Sequence, residues 1–193
     1  MRNIAILASG SGTNAENIIE YFSNRNSARV NLVLSNRREA YVLKRAEALN
    51  VKNCFFDHND FYTSGKVLRI LTENNIDFIV LAGFLWLVPE SILSKYEGRI
   101  INIHPALLPR YGGKGMYGDK VHSAVLENRD AESGITIHYV TRLYDEGDII
   151  FQAKCRVEKD DTPGTLAARV HALEYKHFPE IIEKLILSLR NPS

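Results

Sequence analysis

Cysteine is nearly absent. The two in 193 residues, Cys54 and Cys155, lie far apart and form no CxxC pair. They supply neither a disulfide framework nor a thiolate metal site and read as buried free thiols. No sign of charge dominates: 24 lysines and arginines face 23 aspartates and glutamates, a formal net charge of +1. Such a chain offers no electrostatic footprint for nucleic acid or for a membrane surface. Its longest apolar runs are too short to span a bilayer, and Asn3 opens a strand with no leader pattern ahead of it. These absences predict a cytoplasmic protein.

What is present is ordinary for a globular chain, 45% hydrophobic and 24% charged residues, enough to bury the core of one α/β domain. Apolar strands are expected at Asn3–Ala8, Val30–Leu34, Asn53–Phe56, Phe78–Ala82 and Ile100–Ile103. Helical stretches alternate with them at Thr13–Phe22, Ala40–Leu49, Tyr62–Asn74 and Pro89–Tyr96. Thr13 and Glu16 match a capping box for the first helix. This alternation predicts a Rossmann-like, doubly wound, mostly parallel sheet. After Pro109 a glycine-rich, flexible loop runs from Tyr111 to Lys120, followed by a short helix, Val121–Asn128. Gly134–Val140 and Ile149–Val157 alternate polar and apolar residues and read as an antiparallel strand pair at the C-terminal side of the sheet. A long helical segment from Pro163 to about Leu189, interrupted near Pro179, completes a single domain over residues 1–193.

Two local patterns carry chemistry. Gly10-x-Gly12-x-x-Ala15 follows the first strand and opens a helix, as in dinucleotide-binding turns. Glycines let backbone N–H groups approach an anion, and the helix N-terminus adds partial positive charge. With Arg37 and Arg38 after the second strand, an NADP-dependent oxidoreductase fits this pattern. So does a loop gripping one terminal phosphate monoester with Ser11, Thr13 and Asn14, and so does a tight turn with no ligand.

The second pattern is Asn102-Ile103-His104-Pro105-Ala106-Leu107-Leu108-Pro109. Residues two apart in a strand share a face, so Asn102 and His104 emerge together where the strand ends, and Pro105 keeps His104 out of helical angles. In open α/β sheets ligands gather beyond the strands' carboxyl ends, which brings the glycine loop to the same crevice. Asp145, in the loop between the last two strands, is the candidate carboxylate. Close to His104 it would favour an imidazolium. Each of these residues also has a bland reading as a turn or loop residue. No His/Cys/Asp/Glu set has metal-ligand spacing, His138 lies in an alternating strand, and His58, His122 and His177 have no evident partner.

The Asn102–Pro109 segment resembles the signature of the folate-dependent formyltransferases. Ser9-Gly10-Ser11-Gly12-Thr13-Asn14, Ala82-Gly83-Phe84 and Asp145-Glu146-Gly147-Asp148-Ile149-Ile150 fit the same family in order along nearly the whole chain. The first loop and the chain length resemble the branch that formylates glycinamide ribonucleotide. The resemblance implies formyl transfer from 10-formyltetrahydrofolate, as co-substrate, to the primary amine of glycinamide ribonucleotide in de novo purine synthesis, by a monomer or homodimer and without a metal. It places Asn102, His104 and Asp145 at the catalytic positions. Asn102 and a protonated His104 would stabilise the formyl oxygen, and Asp145 would take the amine's proton. Gly12, Thr13, Asn14, His171 and Glu174 fall on the ribonucleotide site. Leu85, Trp86, Leu87, Val88, Asn102, Thr141, Arg142, Leu143, Tyr144 and Asp145 fall on the folate site. Two features depart from the family pattern: Trp86 stands where a basic residue is usual, suggesting stacking on the folate or plain packing, and the Tyr111–Lys120 loop is long enough to suggest a lid.

Overall fold

A computed structural model describes residues 1–189. Seven strands form one sheet: β1 (Arg2–Leu7), β2 (Ala28–Ser35), β3 (Lys52–Phe55), β4 (Phe78–Leu81), β5 (Ile100–His104), β6 (Glu132–Tyr139) and β7 (Ile149–Arg156). Their order across the sheet is β3-β2-β1-β4-β5-β6-β7. The first five pair in parallel, and β6 joins antiparallel to both β5 and β7. The central strands are apolar and buried, β4 throughout and β1 from Ile4 to Leu7, as strands covered on both faces must be.

Helices cover both faces. On one, α1 (Thr13–Ser23), α2 (Tyr41–Ala48), α6 (Asp119–Glu127) and α7 (Pro163–Ser188) pack through Ile18, Val42, Val125, Val170 and Phe178 onto Ile4, Ile6, Val80, Ile101 and Ile137. On the other, α3 (His58–Tyr62), α4 (Lys66–Glu73) and α5 (Glu90–Lys95) bring Phe61, Leu71 and Ile92 onto Ala5, Leu7, Leu34, Ile79 and Leu81. The chain reverses its winding direction between β1 and β4, so the loops after these strands open a crevice at the switch point.

Three local expectations are corrected. Gly12, in the left-handed region at φ 78°, precedes α1, and no side chain caps the first turn. The expected Thr13/Glu16 capping box does not form, because the Glu16 carboxylate pairs with Arg45 of α2. The helix expected over Tyr62–Asn74 shortens to α4, since α3 lies before it and ends at Tyr62. A capping box between Asp57 and Asp60 starts α3, and Gly65, at φ 66°, precedes α4. Pro179 does not interrupt α7, which runs unbroken for 26 residues. Proline removes the N–H that the Tyr175 carbonyl would accept four residues back, and the Asn17 amide of α1 donates to that carbonyl instead, at 2.9 Å.

Candidate active site

Beyond the carboxyl ends of β1, β4 and β5 lies a cleft of about 610 Å³, within the range typical of small-molecule sites. Its walls come from the glycine loop, the Ala82–Trp86 segment, the end of β5, the 113–118 turn, α6, Tyr144, Asp145 and α7.

The glycine loop is held from behind. The buried Ser9 hydroxyl donates to Asn36 Oδ1 at 2.7 Å and accepts from Leu85 N–H at 3.1 Å. The Gly10 carbonyl accepts from Val42 N–H, and the Ser11 carbonyl from Arg45 Nε. A Cβ on Gly12 would sit 2.4 Å from a Val42 methyl, so only glycine allows α2 to pack this close. With the Gly10 and Ser11 carbonyls engaged by α2 and no side chain capping α1, the loop and the helix N-terminus line the cleft, the physical requirement for an anion site. Arg37 lines the cleft beside it, whereas the Arg38 guanidinium lies over the Phe55 ring, 4.5 Å from its centroid.

At the other end Asn102 and His104 emerge from β5 on the expected shared face and both line the cleft. Asp145 reaches them from the β6–β7 connection, in the left-handed region at φ 57°, a conformation that aspartate tolerates better than most side chains. Its Oδ2 lies 3.5 Å from His104 Nδ1 and accepts from Gly113 N–H at 2.9 Å. Its Oδ1 lies 3.4 Å from Asn102 Nδ2 and 3.5 Å from His138 Nε2. His104 Nε2 is 2.7 Å from the Tyr111 carbonyl, which can only accept, so the ring carries its proton there. The 111–118 stretch is irregular, as expected, but it is tied to the site at Tyr111 and Gly113. The tie is close: a Cβ on Gly112 would lie 2.6 Å from Leu108 Cδ2 and 3.3 Å from Asp145 Cβ.

Burial pushes the His104 imidazole below its ordinary value. The Asp145 carboxylate and the Tyr111 carbonyl oppose this without reversing it, and His138 adds to the lowering. His104 is therefore neutral at pH 7, which corrects the expectation of a resting imidazolium: the cost of burying a cation outweighs one carboxylate that is not in hydrogen-bond contact. Burial also acts to raise the Asp145 carboxyl, but the neighbouring His138 and His104 and the Gly113 N–H bring it below its ordinary value.

On the helical wall, Asn14 Nδ2 donates to the buried Glu174 Oε2 at 2.8 Å, joining α1 to α7. Burial raises the Glu174 carboxyl, opposed by Asn14 and His171. His171, one helical turn earlier, lines the cleft with Gly12 and Thr13.

Of the segments expected against a folate, Leu85, Trp86, Tyr144 and Asp145 line the cleft. Leu87, Val88, Thr141, Arg142 and Leu143 do not. Val88 is buried in the core, the Leu87 carbonyl accepts from the Tyr62 hydroxyl, and Arg142 is exposed and paired with Glu90. Trp86 packs against Phe56, His58, Phe61, Tyr62 and Phe84, with ring centroids 5.6–6.4 Å away. The indole is thus committed largely to the protein while still lining the cleft. Sequence reasoning passed over His138 and His122. Only the β5–β6 register and the placement of α6 bring them to the site. No group of His, Cys, Asp and Glu able to hold a metal ion occurs among the described residues, and no described helix is long and apolar enough to cross a membrane.

Comparison with known proteins bears on this cleft. Residues 2–182 match the family model described as formyl transferase. The chain is 32% identical to phosphoribosylglycinamide formyltransferase of Bacillus subtilis, over 96% of this chain and 95% of that protein. It is 37% identical to the chloroplastic phosphoribosylglycinamide formyltransferase of Arabidopsis thaliana over 94% of this chain, and spans 64% of that protein's length. Among solved structures, glycinamide ribonucleotide transformylase 1 from Symbiobacterium toebii superposes with a TM-score of 0.88 at 35% identity, covering 97% of this chain and 88% of that one. Phosphoribosylglycinamide formyltransferase from Bacillus halodurans gives 0.87 at 36% identity, covering 98% of each.

Proposed function

The chain belongs to the formyl transferase family, among the phosphoribosylglycinamide formyltransferases, and we propose that it carries the formyl group of 10-formyltetrahydrofolate to the primary amine of glycinamide ribonucleotide. The observation that carries this reading is one cleft with two ends. An anion-ready glycine loop stands at one, and an amide, an imidazole and a carboxylate with contacts of 3.4–3.5 Å to the carboxylate stand at the other. An NADP-dependent oxidoreductase would use the loop and Arg37 but leaves that second group without a task.

Gly12, Thr13 and Asn14 anchor the ribonucleotide's phosphate, and Glu174 and His171 take its sugar side. Binding energy spent there positions the distant amine. The folate enters along Leu85, Trp86 and Tyr144. The amine lone pair attacks the formyl carbon, and the carbonyl π pair moves onto oxygen. Asn102 Nδ2–H and the His104 Nε2–H now held by Tyr111 are the donors for that developing charge. One amine proton passes to Asp145, directly or through water. Collapse returns the oxygen's electron pair to the carbonyl and breaks the bond between the formyl carbon and the folate nitrogen, which leaves with the proton that Asp145 took from the amine. The neutral ring fits this role, since His104 gains affinity for a proton only as negative charge appears beside it.

The test is release of tetrahydrofolate from 10-formyltetrahydrofolate by the purified protein. Release that depends on glycinamide ribonucleotide is the expected result. Equal release without it would mean hydrolysis, and no release would remove the reaction.

A further inference from the structure

Three buried side-chain polar atoms among the described residues have no hydrogen-bond partner: Asn14 Oδ1, His122 Nδ1 and Ser133 Oγ. Native proteins pair nearly all such atoms. Asn14 and His122 line the same cleft, whereas Ser133 borders a smaller cavity of about 300 Å³ elsewhere. Two unpaired buried atoms on residues that line one cleft mark a place where a bound molecule can supply the missing partners.

The chemistry of that partner follows from what is open. His122 projects from α6 and is 1% exposed. Burial first, and then the like charge of His171, lowers its imidazole, so the ring is neutral at pH 7 and keeps one nitrogen as an acceptor. Asn14 spends its amide N–H on Glu174, which leaves its oxygen, an acceptor only. Glu174 itself accepts that bond with one oxygen. Three elements, α1, α6 and α7, thus present acceptors to one corner of the cleft, beside the glycine loop. A phosphate does not satisfy acceptors. Hydroxyl groups do, and a phosphorylated sugar presents them next to its phosphate.

We infer that His122 is a specificity-determining residue that accepts a hydrogen bond from a ribose hydroxyl of the ribonucleotide whose phosphate the glycine loop holds. This rests on the function proposed above and adds a residue to it. A merely structural histidine would be expected to make a hydrogen bond within the protein, and Nδ1 makes none.

The experiment measures binding of glycinamide ribonucleotide and of its 2′-deoxy and 3′-deoxy analogues by calorimetry, with wild type, His122→Leu and His122→Gln. Leucine removes the unpaired nitrogen and keeps the bulk, so the ligand-free variant should melt no lower than wild type. It should bind the ribonucleotide about tenfold more weakly, the worth of one neutral hydrogen bond, with an unchanged KM for the formyl folate. Glutamine should restore part of the loss. Wild type should lose a similar factor with one deoxy analogue, and His122→Leu should lose nothing further with it. Undiminished binding by His122→Leu, or an equal further loss with each analogue, overturns the inference while wild-type turnover leaves the proposed function standing. Failure of wild type to bind the ribonucleotide at all removes both.

Discussion

The Asn102 amide lies 3.1 Å from Nε2 of His138, its cross-strand neighbour in the antiparallel β5–β6 pair. The Tyr139 carbonyl, 2.8 Å from His138 Nδ1, can only accept. The ring therefore carries a proton on Nδ1, and its Nε2 stands between the Asn102 amide and Asp145 Oδ1, 3.5 Å away. The Asn102 amide nitrogen is held between His138 Nε2 and Asp145 Oδ1, 3.1 and 3.4 Å away. His138 does not line the cleft, so its expected influence is through Asn102. Replacing it by leucine should lower kcat roughly tenfold, the scale of one lost neutral hydrogen bond, with both KM values unchanged and partial rescue by glutamine. Loss of affinity at constant kcat would show that His138 serves packing alone.

His104→Ala and Asp145→Asn should each depress kcat by roughly 10²–10³, the usual cost of removing one group that stabilises developing charge. Ribonucleotide affinity, set at the far end of the cleft, should hold. Steady-state kinetics beside direct binding would check this, and a variant with wild-type kcat would drop out of the mechanism.

Thr13→Asp places a carboxylate at the start of α1, where an anion is expected to sit. The ribonucleotide KM should rise by about tenfold or more, since one like-charge contact near a partly buried site is worth over 1 kcal/mol. The folate KM should be spared. Equal changes for both substrates would contradict the division of the cleft.

Trp86 is bound on one side by Phe56, Phe61 and Phe84. Trp86→Ala should lower the melting temperature through lost packing and, if the indole edge meets the folate, also raise the folate KM. Trp86→Phe separates the two by keeping an aromatic side chain in the cluster. An unchanged folate KM in both variants would leave Trp86 as packing only.

Acid should destabilise the empty protein in two stages. Burial lowers His104 and His122 below the ordinary value of 6.5, so the unfolded chain binds these protons more readily. Their contribution is complete above that value and is lost as pH falls through the lowered folded values. Asp145, held below 3.8, contributes above that value and is lost further down, as pH falls through its own lowered value. Melting temperatures between pH 8 and pH 4 should stay level above neutrality and then decline. The His122→Leu variant should decline less steeply just below pH 6.5, and a slope there equal to wild type would contradict the burial argument.

Much of this was legible along the chain. The strand order in sequence, the helices between strands and the glycine turn are written in residues that are neighbours, where alternation, capping and backbone freedom act locally. Asn102 and His104 could be paired because a strand's two-residue period needs no partner to be known. The long helix was visible too, but not its continuity past Pro179, since the missing donor is replaced by Asn17 from another helix.

Tertiary structure alone decided the rest. The antiparallel register set His138 opposite Asn102. The return of α7 over α1 joined Glu174 to Asn14 across 160 positions of sequence. The burial of His104 set its charge against the expectation from its carboxylate neighbour. Register, helix docking and desolvation all depend on what packs from elsewhere in the chain, whereas propensity and spacing depend only on adjacent residues. The sequence by itself therefore determined the elements, the glycine loop and the side chains proposed to react, while packing determined the surroundings that shift their protonation and which residues hold them in place.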